Sequence, residues 1–259
     1  SREVVSYHIK QLEKKRFILR YYTLSHFAKT GLIQFKLYVK FSHISKEERK
    51  NIIEYLSKLK NVGWLASTEG IFDLMLSIRF NDIYSFENFK DKFFSLYDKN
   101  FREVRLAILT EAETKPRYYI LPEKNIKPIL FLHCDEALPE HLDVADRKIL
   151  SAISLNARDS YKLLSEKTRL TERIIRYRRA ELEKKGIIVG YKLSINYRKL
   201  NYLFFKCFVT LRNLTPERYK LFRSYVRMHP NIIYWIKTIG PWDVELEIEV
   251  PSTQEFYNI

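Results

Sequence analysis

The chain has 259 residues, a formal net charge of +15 and two cysteines. The length suffices for several cores of ordinary size, and Cys134 and Cys207 stand in no Cys-x-x-Cys or Cys/His ligand spacing, which argues against a disulfide framework or a zinc site and for a reduced compartment. No uncharged apolar run approaches about 18 residues and no signal peptide heads the sequence, while the basic surplus points either to a polyanionic partner or to a merely solvated surface.

The first residues, SREVVSYHIKQLEKKRFILRY, nearly copy TERIIRYRRAELEKKGIIVGY, which begins at Thr171. At an offset of 170 the chain aligns with itself without a gap from Ser1 against Thr171 to Phe89 against Ile259, with identical pairs such as Tyr7/Tyr177, Glu13/Glu183, Lys36/Lys206, Gly70/Gly240 and Asp73/Asp243. A tandem duplication is expected, amounting to about one and a half repeat units. Residues 1–22 therefore read as a helix and a following strand.

Residues 30–114 predict a strand-helix-strand-strand-helix-strand order. LIQFKLYVKF alternates, with Ile33, Phe35, Leu37, Val39 and Phe41 on one face and Gln34, Lys36, Tyr38 and Lys40 on the other. KEERKNIIEYLSKLK is a helix, VGWLAST and FDLMLSIRF are strands, SFENFKDKFFSLYD is a helix and FREVRLAILTE a last strand. This order implies an antiparallel ferredoxin-like sheet with both helices on one face, so the other face needs a partner. Residues 115–141 carry Pro116, Pro122, Pro128 and Pro139, as an extended linker with at most edge strands would.

Residues 142–192 predict three short helices and a strand. Asp143 caps the first, Ser160 the second and Thr171 the third, and Gly186 stands where a left-handed residue ends it. A tight connection at Arg169 and Leu170 before the third helix suggests a helix-turn-helix. Residues 200–259 repeat the sheet design: Leu203, Phe205, Cys207, Val209 and Leu211 alternate with Phe204, Lys206, Phe208 and Thr210.

On a helical projection Ile175, Leu182 and Gly186 share the buried side of the third helix, which turns Arg173, Arg176, Tyr177, Ala180 and Lys184 outward. Arg173 and Arg176 suit base edges, with Tyr177 and Ala180 lining the groove; Ser160, Lys162, Arg169, Arg178 and Lys184 suit phosphates, and Thr171 opens the helix. The alternative is an arginine-rich solvated face. Arg179, opposite the apolar Ile9 of the first copy, either snorkels or marks altered packing. The first copy presents Glu3, Ser6, Tyr7, Lys10 and Lys14 at matching positions.

LDVADRKIL, NARDSYKLLSEKTRLTERII, LEKKGIIVGY and the βαββαβ module with its Gly-Pro-Trp-Asp turn, in that order, resemble the Lrp/AsnC, or feast/famine, family. The resemblance covers essentially the whole chain in two copies. It implies an α+β fold: winged helix-turn-helix domains (three-helix) alternating in tandem with ferredoxin-like RAM domains. It also implies a cytoplasmic archaeal or bacterial regulator that binds double-stranded DNA, with no cofactor and no membrane partner. The usual member has one unit per chain; with two, a single chain can form within itself what other members form as a dimer, and further homo-oligomerisation is open. Ser1 then caps a recognition helix whose two preceding helices would lie before it, and the second RAM domain is incomplete at its end.

Two further expectations concern the sheets. Glu245, Glu247 and Glu249 alternate on the face away from the helices, where the first copy has Lys36, Lys40, Met75, Ser77 and Arg79; the row is either exposed to water or matched by the basic sheet of the first copy, so that the two RAM domains pair within the chain. The family's effector pocket involves the turns ThrGluGlyIlePheAsp and ThrIleGlyProTrpAsp. Gly70 and Gly240 could bring backbone amides to an amino-acid carboxylate and Asp73 and Asp243 could hold its ammonium, or these residues only form and cap turns. Siroheme decarboxylases share the two-part architecture, which would turn the basic charge toward tetrapyrrole carboxylates. Against an enzyme stand the basic reading face, the absence of a Phe-Pro element in ISLNARDS, and six histidines with no local cluster. A sensor acting through protein contacts is the third reading.

Overall fold

The computed structural model describes residues 1–120, 128–132 and 139–259. Helix α1 (Arg2–Lys14) begins at Ser1, whose Oγ accepts from the Val4 N–H at 3.4 Å, and runs into β1 (Ile18–Ser25). A single turn, α2 (Phe27–Thr30), ends at Gly31 with φ +72°, a left-handed stop that the sequence pattern did not announce. Next come β2 (Ile33–Phe41), α3 (Lys46–Ser57), β3 (Val62–Ser67), β4 (Leu74–Phe80), α4 (Ile83–Tyr97) and β5 (Phe101–Thr114). Local caps set the starts of the helices: Ser45 and Glu48 form a reciprocal capping box on α3, and Asp82 Oδ1 accepts from the Ser85 N–H at 2.6 Å on α4. Helix α3 stops before the expected Lys60, and β5 runs past the expected Glu111 because its end is paired on both sides.

Strand β6 (Ile129–Leu132) follows, antiparallel to the end of β5. The rest of the expected linker at 121–127 and 133–138 lies outside the described residues. Then come α5 (Val144–Leu155), α6 (Tyr161–Thr168), α7 (Glu172–Lys184), β7 (Ile188–Ile195), β8 (Leu203–Val209), α8 (Pro216–Met228), β9 (Ile232–Ile239), β10 (Val244–Val250) and α9 (Thr253–Tyr257).

Two antiparallel sheets result. Strands β1 and β7 form a ribbon, and the other eight form a sheet in the order β3-β4-β2-β5-β9-β10-β8 with β6 beside β5. Strand β5 joins the halves: Phe101 to Ile108 pair with β2, and Ile108 to Thr114 pair with β9. The α3/α4 face buries Phe35, Leu37, Val39, Ile52, Leu56, Leu74, Leu76, Ile78, Phe86 and Phe93, with Phe35 stacked on Phe86 at 4.0 Å between ring centroids. A second core under α8 gathers Val226, Ile232, Trp235, Val244, Leu246 and Ile248.

The sheet faces turned away from the helices are buried as well. Tyr38, Phe72, Met75, Ala107 and Trp242 form an apolar cluster there, and beside it stands a charged one. Glu245, fully buried, accepts from Lys36 Nζ and Tyr38 Oη of the first half, from Lys206 Nζ at 2.9 Å and from Trp242 Nε1 at 3.2 Å. Burial pushes this carboxyl up, but the two ammonium groups outweigh it and hold it well below the usual carboxylate range; burial pulls Lys36 down to about 8 despite Glu245. Glu247 accepts from Lys206 at 2.7 Å, and Glu249 is clasped by Arg117 at 2.6 and 2.8 Å and by Tyr119. So the glutamate row is not a uniform match to a basic sheet. Glu245 takes Lys36, Glu249 takes the segment after β5, Lys40 turns to Asp73 at 3.0 Å, and Arg79 stacks on Phe27 at 4.1 Å.

Candidate nucleic-acid interface

Helices α5, α6 and α7 pack round Ile149, Ile153, Leu164, Ile175 and Leu182, an apolar core that fixes which side of α7 remains outside. Each start is capped from the chain itself. Asp143 and Asp146 form a capping box on α5, Ser160 Oγ accepts from the Leu163 N–H at 3.2 Å on α6, and Thr171 Oγ1 accepts from the Ile174 N–H at 3.3 Å on α7. The turn between α6 and α7 is closed by Arg169 in the left-handed region, φ +58° and ψ +34°, and by Ser165 Oγ donating to the Leu170 carbonyl at 2.6 Å. Gly186, φ +66°, ends α7 before β7.

With Ile175 and Leu182 inward, Arg173, Arg176, Tyr177, Ala180 and Lys184 are exposed along one side of α7, and Lys162 and Arg169 are exposed near its start. Among the described residues Lys162, Arg169, Arg173, Arg176 and Lys184 have no ion-pair partner. The Arg176 guanidinium lies 4.1 Å from the Tyr161 ring centroid, so its planar fork is held before any ligand arrives. Ser160 and Thr171 are also exposed, with their oxygens turned to the helix amides.

Arg178 stands apart from the expected phosphate group. It donates to Asp143 Oδ2 at 2.6 Å and Asp146 Oδ1 at 3.0 Å, tying α7 to the start of α5. Arg179 snorkels along Tyr191, with Cζ 4.8 Å from the ring centroid and Nε donating to its hydroxyl at 3.0 Å. Burial pushes that hydroxyl up to about 12, with Glu183 adding to the shift.

Helix α1 offers Ser6, Tyr7, Lys10 and Lys14 exposed, and it buries none of its residues; Val5, the counterpart of Ile175, is 59% exposed. Its base contacts strand β1 through Tyr21 Oη, which donates to Glu13 at 2.7 Å as Tyr191 does to Glu183.

The two glycine turns differ. Asp73 Oδ2 accepts from the Phe41 N–H at 2.9 Å and Asp243 Oδ2 from the Leu211 N–H at 2.6 Å, so both carboxylates serve their own backbone. Gly70 has φ +123° and open space around it, with Lys40 Nζ donating to its carbonyl at 2.9 Å. Gly240 has φ +156°, and a Cβ there would meet the Leu106 carbonyl at 2.7 Å.

Among the described residues no helix is long and apolar enough to cross a membrane, and no group of three or more His, Cys, Asp or Glu could hold a metal ion. A model of winged helix-turn-helix DNA-binding domains matches residues 142–189. An uncharacterised HTH-type transcriptional regulator of Pyrococcus horikoshii is 30% identical over 125 residues, 47% of this chain and 82% of that relative. The HTH-type transcriptional regulator LrpC of Bacillus subtilis is 31% identical over 115 residues, 44% of this chain and 77% of that one. Among solved structures the siroheme decarboxylase NirDL aligns over 97% of this chain and 72% of its own with a TM-score of 0.60 at 8% identity, a likeness of fold alone. The capped three-helix frame, its exposed basic helix and relatives matched over most of their length make this chain a member of the Lrp/AsnC family of winged helix-turn-helix transcriptional regulators.

Proposed function

We propose that the chain acts in the cytoplasm as a non-enzymatic, sequence-specific regulator that reads duplex DNA through α7. Arg173 and Arg176 take guanine edges in the major groove, Tyr177 and Ala180 line it, and Lys162, Arg169 and Lys184 hold phosphates. Arg178 positions α7 instead of touching DNA. The observation that carries this reading is the row of exposed, unpaired cations on α7 beside a guanidinium already held by Tyr161. The test is fluorescence anisotropy over a salt series, using duplexes enriched by the chain from a random pool and a scrambled control. Binding should weaken with a log-log slope of about 0.9 per phosphate contacted, and Arg173→Ala with Arg176→Ala should reduce the preference over the scramble roughly tenfold or more. Equal affinity for both duplexes in the wild type would remove the reading.

We assign an amino-acid effector to the Gly70 turn, where there is open space and where Lys40 would exchange its Asp73 partner for an amino-acid carboxylate, and away from Gly240. Titration calorimetry with the twenty amino acids should give heat that Lys40→Met removes; no heat with any of them counts against the assignment. The second reading, a decarboxylase acting on tetrapyrrole carboxylates, is favoured by the fold likeness to NirDL over nearly the whole chain. A Soret shift on titration with iron-uroporphyrin III, coupled with loss of sequence preference on DNA, would favour it.

A further inference from the structure

The ribbon of β1 and β7 has a register with a consequence for the DNA site. Tyr21 pairs with Leu193 and Thr23 with Tyr191, while Arg20 pairs with Ser194 and Leu24 with Gly190. Each of these pairs maps onto the other when the halves are exchanged at the offset of 170, and Tyr22 opposite Lys192 maps onto itself. A local two-fold therefore passes between Tyr22 and Lys192. It relates the strands that follow α1 and α7, two helices of equal length, each capped by a hydroxyl side chain and each leading into its strand of the ribbon. Helix-turn-helix pairs related by a two-fold read inverted half-sites, and the sequence symmetry of the operator mirrors that of the protein.

Here the backbone symmetry is not matched by chemistry. The exposed positions that read Arg173, Arg176, Tyr177, Ala180 and Lys184 on α7 read Glu3, Ser6, Tyr7, Lys10 and Lys14 on α1. Tyrosine and the last lysine are shared; the two N-terminal positions, those that reach deepest toward base edges, are opposite in charge or lose it. An arginine fork fits guanine O6 and N7, whereas a glutamate accepts from cytosine N4 and is repelled by those same guanine acceptors. An alanine leaves room for a thymine methyl, and Lys10 in its place donates to an acceptor.

Resting on the regulator reading above, we propose that a single chain recognises an inverted repeat with unequal halves. The half under α7 carries guanines at the positions of Arg173 and Arg176. The half under α1 lacks them and carries cytosine opposite Glu3. The chain thus has a built-in orientation on DNA, which a symmetric homodimer lacks.

The test is selection of sites by the full chain from a random duplex pool, followed by competition between the winners. The wild type should enrich a motif whose two halves differ, and reversing one half should cost roughly tenfold in affinity, the scale of a lost bidentate base contact. Glu3→Arg with Ser6→Arg should move the enriched motif toward a palindrome of the α7 half. Arg173→Ala with Arg176→Ala should relax the α7 half and leave the other. A palindrome from the wild type, or a lone half-site, would overturn the unequal-halves proposal and leave the regulator reading standing. Failure to enrich any sequence would overturn the regulator reading itself.

Discussion

Arg169 carries two demands that pull apart. Its left-handed backbone closes the turn before α7, a conformation that costs an L-residue roughly 1–2 kcal/mol and glycine far less. Its exposed charge sits where phosphate contact is expected. Arg169→Gly should therefore raise stability by up to about 1 kcal/mol in urea titrations while weakening DNA binding and reducing the salt slope by about one unit. A gain in stability with unchanged binding would take Arg169 off the phosphates. A different residue-scale tension lies between the sheets. Burial lowers Lys36 and Lys115 to about 8, and burial together with the nearby Arg117 lowers Lys192 to about 7 against the opposing pull of Glu247 and Glu249. In the unfolded chain these lysines titrate near the ordinary value of about 10.4, so between roughly pH 7 and 10 the unfolded state binds more protons and stability should rise with pH. Burial would lower Lys206, but Glu247 and Glu245 outweigh it and hold it above the ordinary lysine range, so its stabilisation is constant over this window and is lost only at higher pH. Urea midpoints measured from pH 7 to 9.5 should climb, and Lys192→Met should flatten the climb and lift the pH 7 midpoint.

At the scale of elements, Gly70 and Gly240 occupy matching turns with different surroundings. Among the described residues Gly70 meets nothing within 4 Å, so Gly70→Ala bears backbone strain alone, about 1–3 kcal/mol; Gly240→Ala bears similar strain and also drives a methyl into the backbone of β5 at Leu106 and Ala107. Overpacking of this kind adds about 1–3 kcal/mol, and denaturant unfolding of the two variants should show that gap. Equal losses would mean that the Gly240 turn does not bear on β5. The contrast also marks what a sequence reveals. Asp143, Ser160, Thr171 and Gly186 were legible as caps because a cap satisfies amides within its own turn. Alternation in β2 and the buried side of α7 were legible because they are periodic. The pairing of β1 with β7, the extension of β5 along β9 and the diversion of Arg178 to Asp143 and Asp146 each depend on which element arrives alongside, and no local pattern carries that. The exposed face of α7 could be drawn on a helical wheel; the tyrosine beside Arg176 sits on another helix.

For the molecule as a whole, the charged contact between Lys36 and Glu245 links the two halves of the large sheet. At the position of Glu245 the first half has Met75. Two copies of the first half laid face to face would therefore bury Lys36 without the acid it finds here, and an unpaired buried ammonium is costly. The pair should therefore act more on specificity than on stability, since desolvation of both ions offsets much of their attraction. This distinction has a measurable form. Glu245→Gln should leave Lys36 and Lys206 underpaired and cost about 3–5 kcal/mol. Lys36→Met with Glu245→Leu removes the pair and leaves Lys206 facing Glu247, but it also strips Tyr38 Oη and Trp242 Nε1 of their acceptor, so it should recover only part of that loss. The double-mutant cycle should then show strong coupling between Lys36 and Glu245, and sedimentation should show the apolar double variant losing its preference for intramolecular closure as chains associate through the exposed apolar face. A double variant as unstable as Glu245→Gln, with chains still unassociated, would mean that the backbone continuity of β5 alone sets the pairing.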